Sequence, residues 1–204
     1  MSLVYKLISK VGNFVYQKNT ILFLAREKDF DIGGIGSNSR SNSDSRMLIQ
    51  RALWRDYQDS CAESSWLENK KADAVQRLKQ GHQLYLARRE GRLVHVLWVR
   101  VSDLVEATYE LGAGAEFGLD SPAPIIYDTW TAEEARGQGV YQQVLRFVVA
   151  ALHETHAKIW VYCDDKNIAS RIGLERVGFK VNRSITSLLI FRIPTRLWFK
   201  DYDD

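Results

Sequence analysis

Arg136, Gly137, Gln138 and Gly139 stand between two apolar segments, Ile125-Ile126-Tyr127-Asp128-Thr129-Trp130 and the run from Val140 to Leu152. This order predicts a strand, a short basic glycine turn and a helix. Glycines let a backbone approach a ligand closely. The first amides of a helix have no acceptor within it, and the helix dipole favours an anion there. Arg136 adds a fixed positive charge. The chemistry implied is capture of a phosphate or pyrophosphate by main-chain N–H groups. A P-loop would need Gly-Lys-Ser or Gly-Lys-Thr, which the sequence lacks. A dinucleotide fingerprint would need a third glycine three residues after Gly139, where Gln142 stands. An ordinary glycine-containing helix start is the structural alternative.

A second segment follows in order. Lys158-Ile159-Trp160-Val161-Tyr162-Cys163 is rich in aromatic and branched residues and predicts a strand. Asp164-Asp165-Lys166-Asn167 predicts a turn ending in a helix cap. Ile168 to Val177 predicts a helix, stopped by Gly178 before Phe179.

The loop is similar to the Arg-x-x-Gly-x-(Gly/Ala) coenzyme A pyrophosphate loop of the GNAT N-acetyltransferase superfamily. Arg136, Gly137, Gln138 and Gly139 carry the resemblance, and Tyr141 departs from it where the family has a small residue. Asn167, Gly178 and Phe179 also match the family in identity and spacing. The resemblance covers residues 120–192 well and the earlier half only by element order. It implies an α/β acyl-CoA N-acyltransferase fold, with a mixed, mostly antiparallel sheet flanked by helices and splayed central strands. It implies acetyl-CoA as cosubstrate, held by Arg136 to Tyr141, Val140 included, and by Asn167. A main-chain amide near Trp130 or Thr131 would hold the thioester oxygen. The acceptor implied is a small amine, and a homodimer is compatible with the family. The leading segment and the Arg-Gly-x-Gly-Val-Tyr loop resemble members found with polysaccharide-assembly enzymes, which makes an amino sugar a candidate acceptor. A non-catalytic acyl-CoA-binding module and an acyl-carrier-protein-dependent acyltransferase are the alternatives.

An amine attacks a thioester only when unprotonated, so a base or a water chain must remove a proton. Asp128 is a carboxylate inside an apolar strand, a costly place unless it is used or paired. It is the first candidate for base or for binding the substrate ammonium, and a structural salt bridge is the other reading. Glu133 and Glu134 follow as loop carboxylates. Many family members carry a tyrosine four residues before the Gly of Gly-Phe, where this chain has Leu174. Protonation of the leaving thiolate by that residue is therefore excluded. Cys163 lacks a sequence-visible partner base for acyl-enzyme chemistry and reads as a core thiol. His82, His95, His153 and His156 show no metal spacing, and no metal is expected.

The elements that must position these residues fit one domain of 204 residues. Residues 1–20 predict an amphipathic helix, and Ile21 to Ala25 a strand. Residues 31–45 form a polar loop. Met47–Tyr57 and Trp66–Gln80 predict helices; Gln83–Arg88 and Leu93–Val101 predict strands joined at Glu90-Gly91 as a hairpin. Residues 102–124 predict a long connection, and Ser187–Ile193 a last strand ended by Pro194. There are 28 Lys and Arg against 25 acidic residues, with no dense basic block, so nucleic acid is not an expected partner. No run reaches the length of a membrane span. The two cysteines, Cys61 and Cys163, support no disulfide framework, and residues 1–20 lack a secretory signal pattern. A reducing cytoplasm is the expected compartment.

Overall fold

The structure is a computed structural model that describes residues 16–28, 47–106, 116–190 and 193–202. Among the described residues eight strands form one open, mostly antiparallel sheet flanked by five helices. In chain order they are β1 (Tyr16–Glu27), β2 (Met47–Ala52), α1 (Trp54–Cys61), α2 (Ser65–Asn69), α3 (Lys71–Lys79), β3 (Gln83–Arg89), β4 (Arg92–Glu106) and β5 (Glu116–Thr131). A 3-10 turn at Glu133–Ala135 leads to α4 (Val140–Leu152), β6 (Lys158–Asp164), α5 (Ile168–Glu175), β7 (Lys180–Ile190) and β8 (Ile193–Asp201). Hydrogen-bonded neighbours run β2-β3-β4-β5-β6-β1-β7-β8.

The chain divides into two compact units. The first gathers Met1–Ala25, Ser102–Pro122 and Trp160–Asp204, the second Arg26–Val101 and Ala123–Ile159. In the first unit β1 pairs antiparallel with β7, Ile21 opposite Ile185, across most of the sequence length. Phe23, wholly buried, meets Phe117 edge-on at 5.0 Å and Tyr162 at 5.8 Å. In the second unit α1, α2 and α3 cover one face of β3 and β4. Their core joins Tyr57, Leu67, Leu84, Leu86, Val96 and Trp98, with Trp66, Tyr127 and Trp130 packed at its margin. The buried Tyr57 hydroxyl donates to Leu67 O at 2.7 Å, tying α1 to α2.

Several sequence expectations change. Residues 16–20 belong to β1; the rest of the expected N-terminal helix, and the 31–45 loop, lie outside the described residues. Met47–Ala52 is a strand, and the helix begins only at Trp54. As the sheet's edge, β2 pairs with β3 alone and buries little, so its sequence lacks an alternating signal. The expected helix at 66–80 is two helices meeting at Lys70, whose φ of −105° is not helical. Most of 102–124 is strand, since β4 runs to Glu106 and β5 starts at Glu116. The end of the described chain holds two strands. Pro194 falls near the start of β8, an edge strand, where a missing N–H is tolerated. The hairpin at Glu90-Gly91 is as expected, with Arg89 paired to Arg92 and φ of 53° and 79° at its two turn residues.

Candidate active site

The loop before α4 is built by two left-handed glycines. Gly137 has φ 73° and Gly139, the N-cap, has φ 74°, a conformation that L side chains rarely adopt. A Cβ on Gly137 would meet nothing within 4 Å, and one on Gly139 would touch only the Gln142 and Gln143 side chains, at 3.9 and 4.0 Å. Backbone twist, not crowding, demands glycine, and among the described residues the space beside the loop is open. The helical ladder starts at Gln143, whose amide donates to Gly139 O at 3.1 Å. Among the described residues no side chain caps this helix. Its first amides thus stand outside the ladder, as an anion site requires.

Neighbouring groups hold the loop in shape. Gln138 Oε1 accepts from Arg89 Nη1 at 2.6 Å, and Gln138 Nε2 donates to Glu134 O at 2.6 Å. Arg136 Nε donates to Thr131 O at 3.2 Å, while its side chain stays 59% exposed, with Nη1 3.7 Å from Glu133. Val140 is buried and anchors the first turn in the core. Tyr141 lays its ring against the buried His95, with centroids 5.7 Å apart. His95 Nδ1 lies 2.8 Å from Thr131 Oγ1, and its Nε2 is buried with no partner among the described residues. Burial pushes the His95 imidazole down to about 3, so it is neutral at physiological pH. Tyr141 therefore has a packing role beneath the helix start, which accounts for the departure from a small residue.

The strand leading to the loop breaks its pleat at Asp128, where φ is 46°. Consecutive residues of a regular strand point to opposite faces. Here the left-handed residue lets Tyr127, Asp128 and Trp130 all meet the helices α2 and α3 or the turn after them. Asp128 Oδ1 accepts from Lys70 Nζ and Oδ2 from Arg77 Nη1, both at 2.5 Å. Trp130 stacks on Trp66 at 5.7 Å with planes 17° apart, and Lys70 lies 4.4 Å above the Trp66 ring. Arg77 lies 5.1 Å from the Tyr127 ring and 5.2 Å from that of Trp98. Tyr127 O–H and His82 Nδ1 are 2.6 Å apart.

The sequence singles out Asp128 and offers a salt bridge as one reading, which the structure shows, but it does not name Lys70 and Arg77 as the partners. Lys70 and Arg77 are seven residues apart, two helical turns, a spacing that aligns two cations on one side. That was the only legible sign. Nothing in the sequence paired His82 with Tyr127.

The remaining expected residues lie in the first unit. Asn167 caps α5, its Oδ1 accepting from the Ser170 amide at 3.1 Å. The helix closes at Gly178, φ 92°, with the Phe179 amide donating to Leu174 O at 3.2 Å. Leu174 is wholly buried, a core residue. Cys163 is buried, and burial pushes its thiol up to about 11. At neutral pH it is not a thiolate nucleophile. Among the described residues no group of three or more His, Cys, Asp or Glu could hold a metal ion. No described helix is long and apolar enough to cross a membrane.

No protein-family model and no curated protein sequence matches the chain. Solved structures do. A functionally unknown conserved protein from Staphylococcus epidermidis aligns at 13% identity and a TM-score of 0.52, over 91% of this chain and 66% of its own. A protein assigned to the GNAT acetyltransferase family, from Novosphingobium aromaticivorans, aligns at 17% identity and a TM-score of 0.50, over 85% of this chain and 65% of its own. The chain spans just under two thirds of the length of each. At such identities the likeness is one of fold.

Proposed function

We propose that this chain, whose fold is GNAT-like, is an acetyl-CoA-dependent N-acetyltransferase acting on a small amine, with an amino sugar as candidate acceptor. The observation that carries the reading is the open, uncapped start of α4 behind two left-handed glycines. In this reading the amides of Gly137 to Tyr141 bind the coenzyme A pyrophosphate, and Arg136 pairs with it from the exposed side. A main-chain amide near Trp130 or Thr131 holds the thioester oxygen and stabilises the oxyanion as the amine attacks. Asn167, which the resemblance offers for cofactor binding, already spends its Oδ1 on the Ser170 amide as the cap of α5.

Transfer is direct, within a ternary complex. The deprotonated amine attacks the thioester carbonyl carbon, the C–N bond forms and the C–S bond breaks. Cys163, a buried neutral thiol, takes no part. Asp128 was the sequence candidate for the base. Each of its oxygens already accepts from a cation, so removing the carboxylate would leave Lys70 and Arg77 facing each other. That pairing also supports a second reading, an acyl-CoA-binding module without turnover. The expected setting is the cytoplasm.

The test is acetyl-CoA consumption against a panel of small amines and amino sugars, alongside calorimetric titration of coenzyme A. Turnover on an amine with intersecting initial-rate plots supports the enzyme. Binding without turnover on any member supports the module. No binding removes both. Asp128→Asn separates the carboxylate's roles. As base its loss lowers turnover by roughly 10²–10⁴-fold with binding intact; as ion-pair anchor its loss lowers stability by about 2 kcal/mol, between surface and buried limits.

A further inference from the structure

The turn after α3 places a histidine with unusual firmness. Gly81, φ 82°, ends the helix in the left-handed conformation, its amide donating to Leu78 O at 3.1 Å. The His82 amide donates to Arg77 O at 3.0 Å, completing a Schellman closure. His82 is thereby fixed to the backbone of the residue whose side chain grips Asp128. Across from it the left-handed Asp128 turns the preceding Tyr127 toward α3 rather than away. The two rings meet edge-on, centroids 5.8 Å apart, with His82 Nδ1 and the Tyr127 oxygen at 2.6 Å. Both residues are half-buried.

We infer that Tyr127 and His82 form the proton relay that deprotonates the acceptor amine, with Tyr127 touching the substrate and His82 acting through it. This rests on the acetyltransferase reading above. The ammonium gives its proton to the Tyr127 oxygen as the phenol proton passes to His82 Nδ1. The phenol is restored, an imidazolium forms, and the nitrogen keeps the electron pair with which it attacks the thioester. On collapse the nitrogen's second proton goes to the departing thiolate, and His82 returns its proton to solvent.

The charges around the pair suit this part. Arg77 of α3 and Arg100 of β4 face the Tyr127 ring at 5.1 and 6.0 Å, and Asp128 of β5 is paired with Lys70 and Arg77. Burial, then Arg100 and Arg77, lowers the His82 pKa, so the imidazole is neutral and able to accept at physiological pH. Burial pushes the Tyr127 phenol up to about 12 against the two arginines, so it carries the proton it must pass on. Asp128 is less suited to the task, with both oxygens engaged. Tyr127 stands three residues before Trp130, so at most about 10 Å of chain separates them, within reach of a tyrosine side chain and one water.

The experiment uses the full chain, acetyl-CoA and whichever panel amine turns over fastest. His82→Asn supplies an oxygen that can still accept from Tyr127 but cannot take its proton. Its kcat should fall about 100-fold or more, with acetyl-CoA affinity within twofold of wild type. Tyr127→Phe should fall comparably. The wild-type kcat/KM should decline toward acid with a midpoint below 6.5, the ordinary histidine value. That limb should vanish in His82→Asn. His82→Ala should recover part of its rate on addition of free imidazole. A His82→Asn enzyme with more than half the wild-type rate, or one that keeps the acid limb, overturns the relay while leaving the transferase reading in place. A wild-type chain that does not bind acetyl-CoA overturns both.

Discussion

Two helices of this protein start after a strand and a turn, and they are finished differently. The start of α5 is closed by its own sequence, with Asn167 Oδ1 taking the Ser170 amide. The start of α4 has no side-chain cap, two glycines at positive φ and open space beside them. A cap contributes about 1 kcal/mol to a helix, so a start without one forgoes stability. At α4 the surroundings are nonetheless braced, by Gln138 between Arg89 and Glu134 O and by Tyr141 on His95. A rigid loop with unfilled amides is what a ligand site needs, whereas a satisfied cap is what a structural helix needs.

The start of α4 is most sensitive at Gly139. Gly139→Asp places a carboxylate where phosphate should approach, and acetyl-CoA affinity should fall at least 100-fold, about 3 kcal/mol. Circular dichroism should show the fold retained. Unchanged affinity in calorimetry would take α4 out of the site.

The support beneath α4 should show itself in acid. The folded pKa of His95 lies near 3, below the 6.5 of an unfolded histidine. The unfolded chain therefore binds the extra proton as pH falls below about 6.5, and stability falls with it until the folded pKa is reached. Between pH 6.5 and 5 this site should cost roughly 2 kcal/mol. His95→Gln, which can still bond Thr131, should remove that share. Urea unfolding at both pH values measures it, and identical pH slopes in the two proteins would contradict it.

Smaller effects sharpen the contrast. Arg136→Ala removes an exposed charge-assisted contact and should weaken acetyl-CoA binding by about 1 kcal/mol, or roughly fivefold. The loss should shrink in high salt; a loss that ignores salt would point to altered packing instead. Asn167→Ala should lower stability by about 1 kcal/mol as a lost cap, while acetyl-CoA affinity moves less than twofold. A larger change in affinity would show that Asn167 serves the ligand as well as its helix.

The parts of this fold legible in the sequence were those whose signal is local. α4 spans Val140–Leu152 as expected because its apolar spacing and glycine start agree. The Glu90-Gly91 hairpin is equally local. β2 and β8 were misread because edge strands bury little and carry weak alternation. β1 was read too short, because its first residues, Lys18 among them, are polar. At the site, Asp128 stood out as a carboxylate in an apolar strand. Its left-handed backbone did not, and that one torsion brings Tyr127, Asp128 and Trp130 to the same helices. Lys70, Arg77 and His82 join them from 45 to 58 residues away by position in the sequence, a tertiary pairing that no spacing rule encodes.

The start of α4 is the proposed ligand site, and the start of α5 is a cap. Nuclear magnetic resonance of the backbone amides during an acetyl-CoA titration tests this most directly. The amides of Gly137, Gln138, Gly139, Val140 and Tyr141 should shift together and saturate with the affinity found by calorimetry, while the capped Ser170 amide moves little. Saturating binding that leaves Gly137 to Tyr141 unmoved would contradict the account.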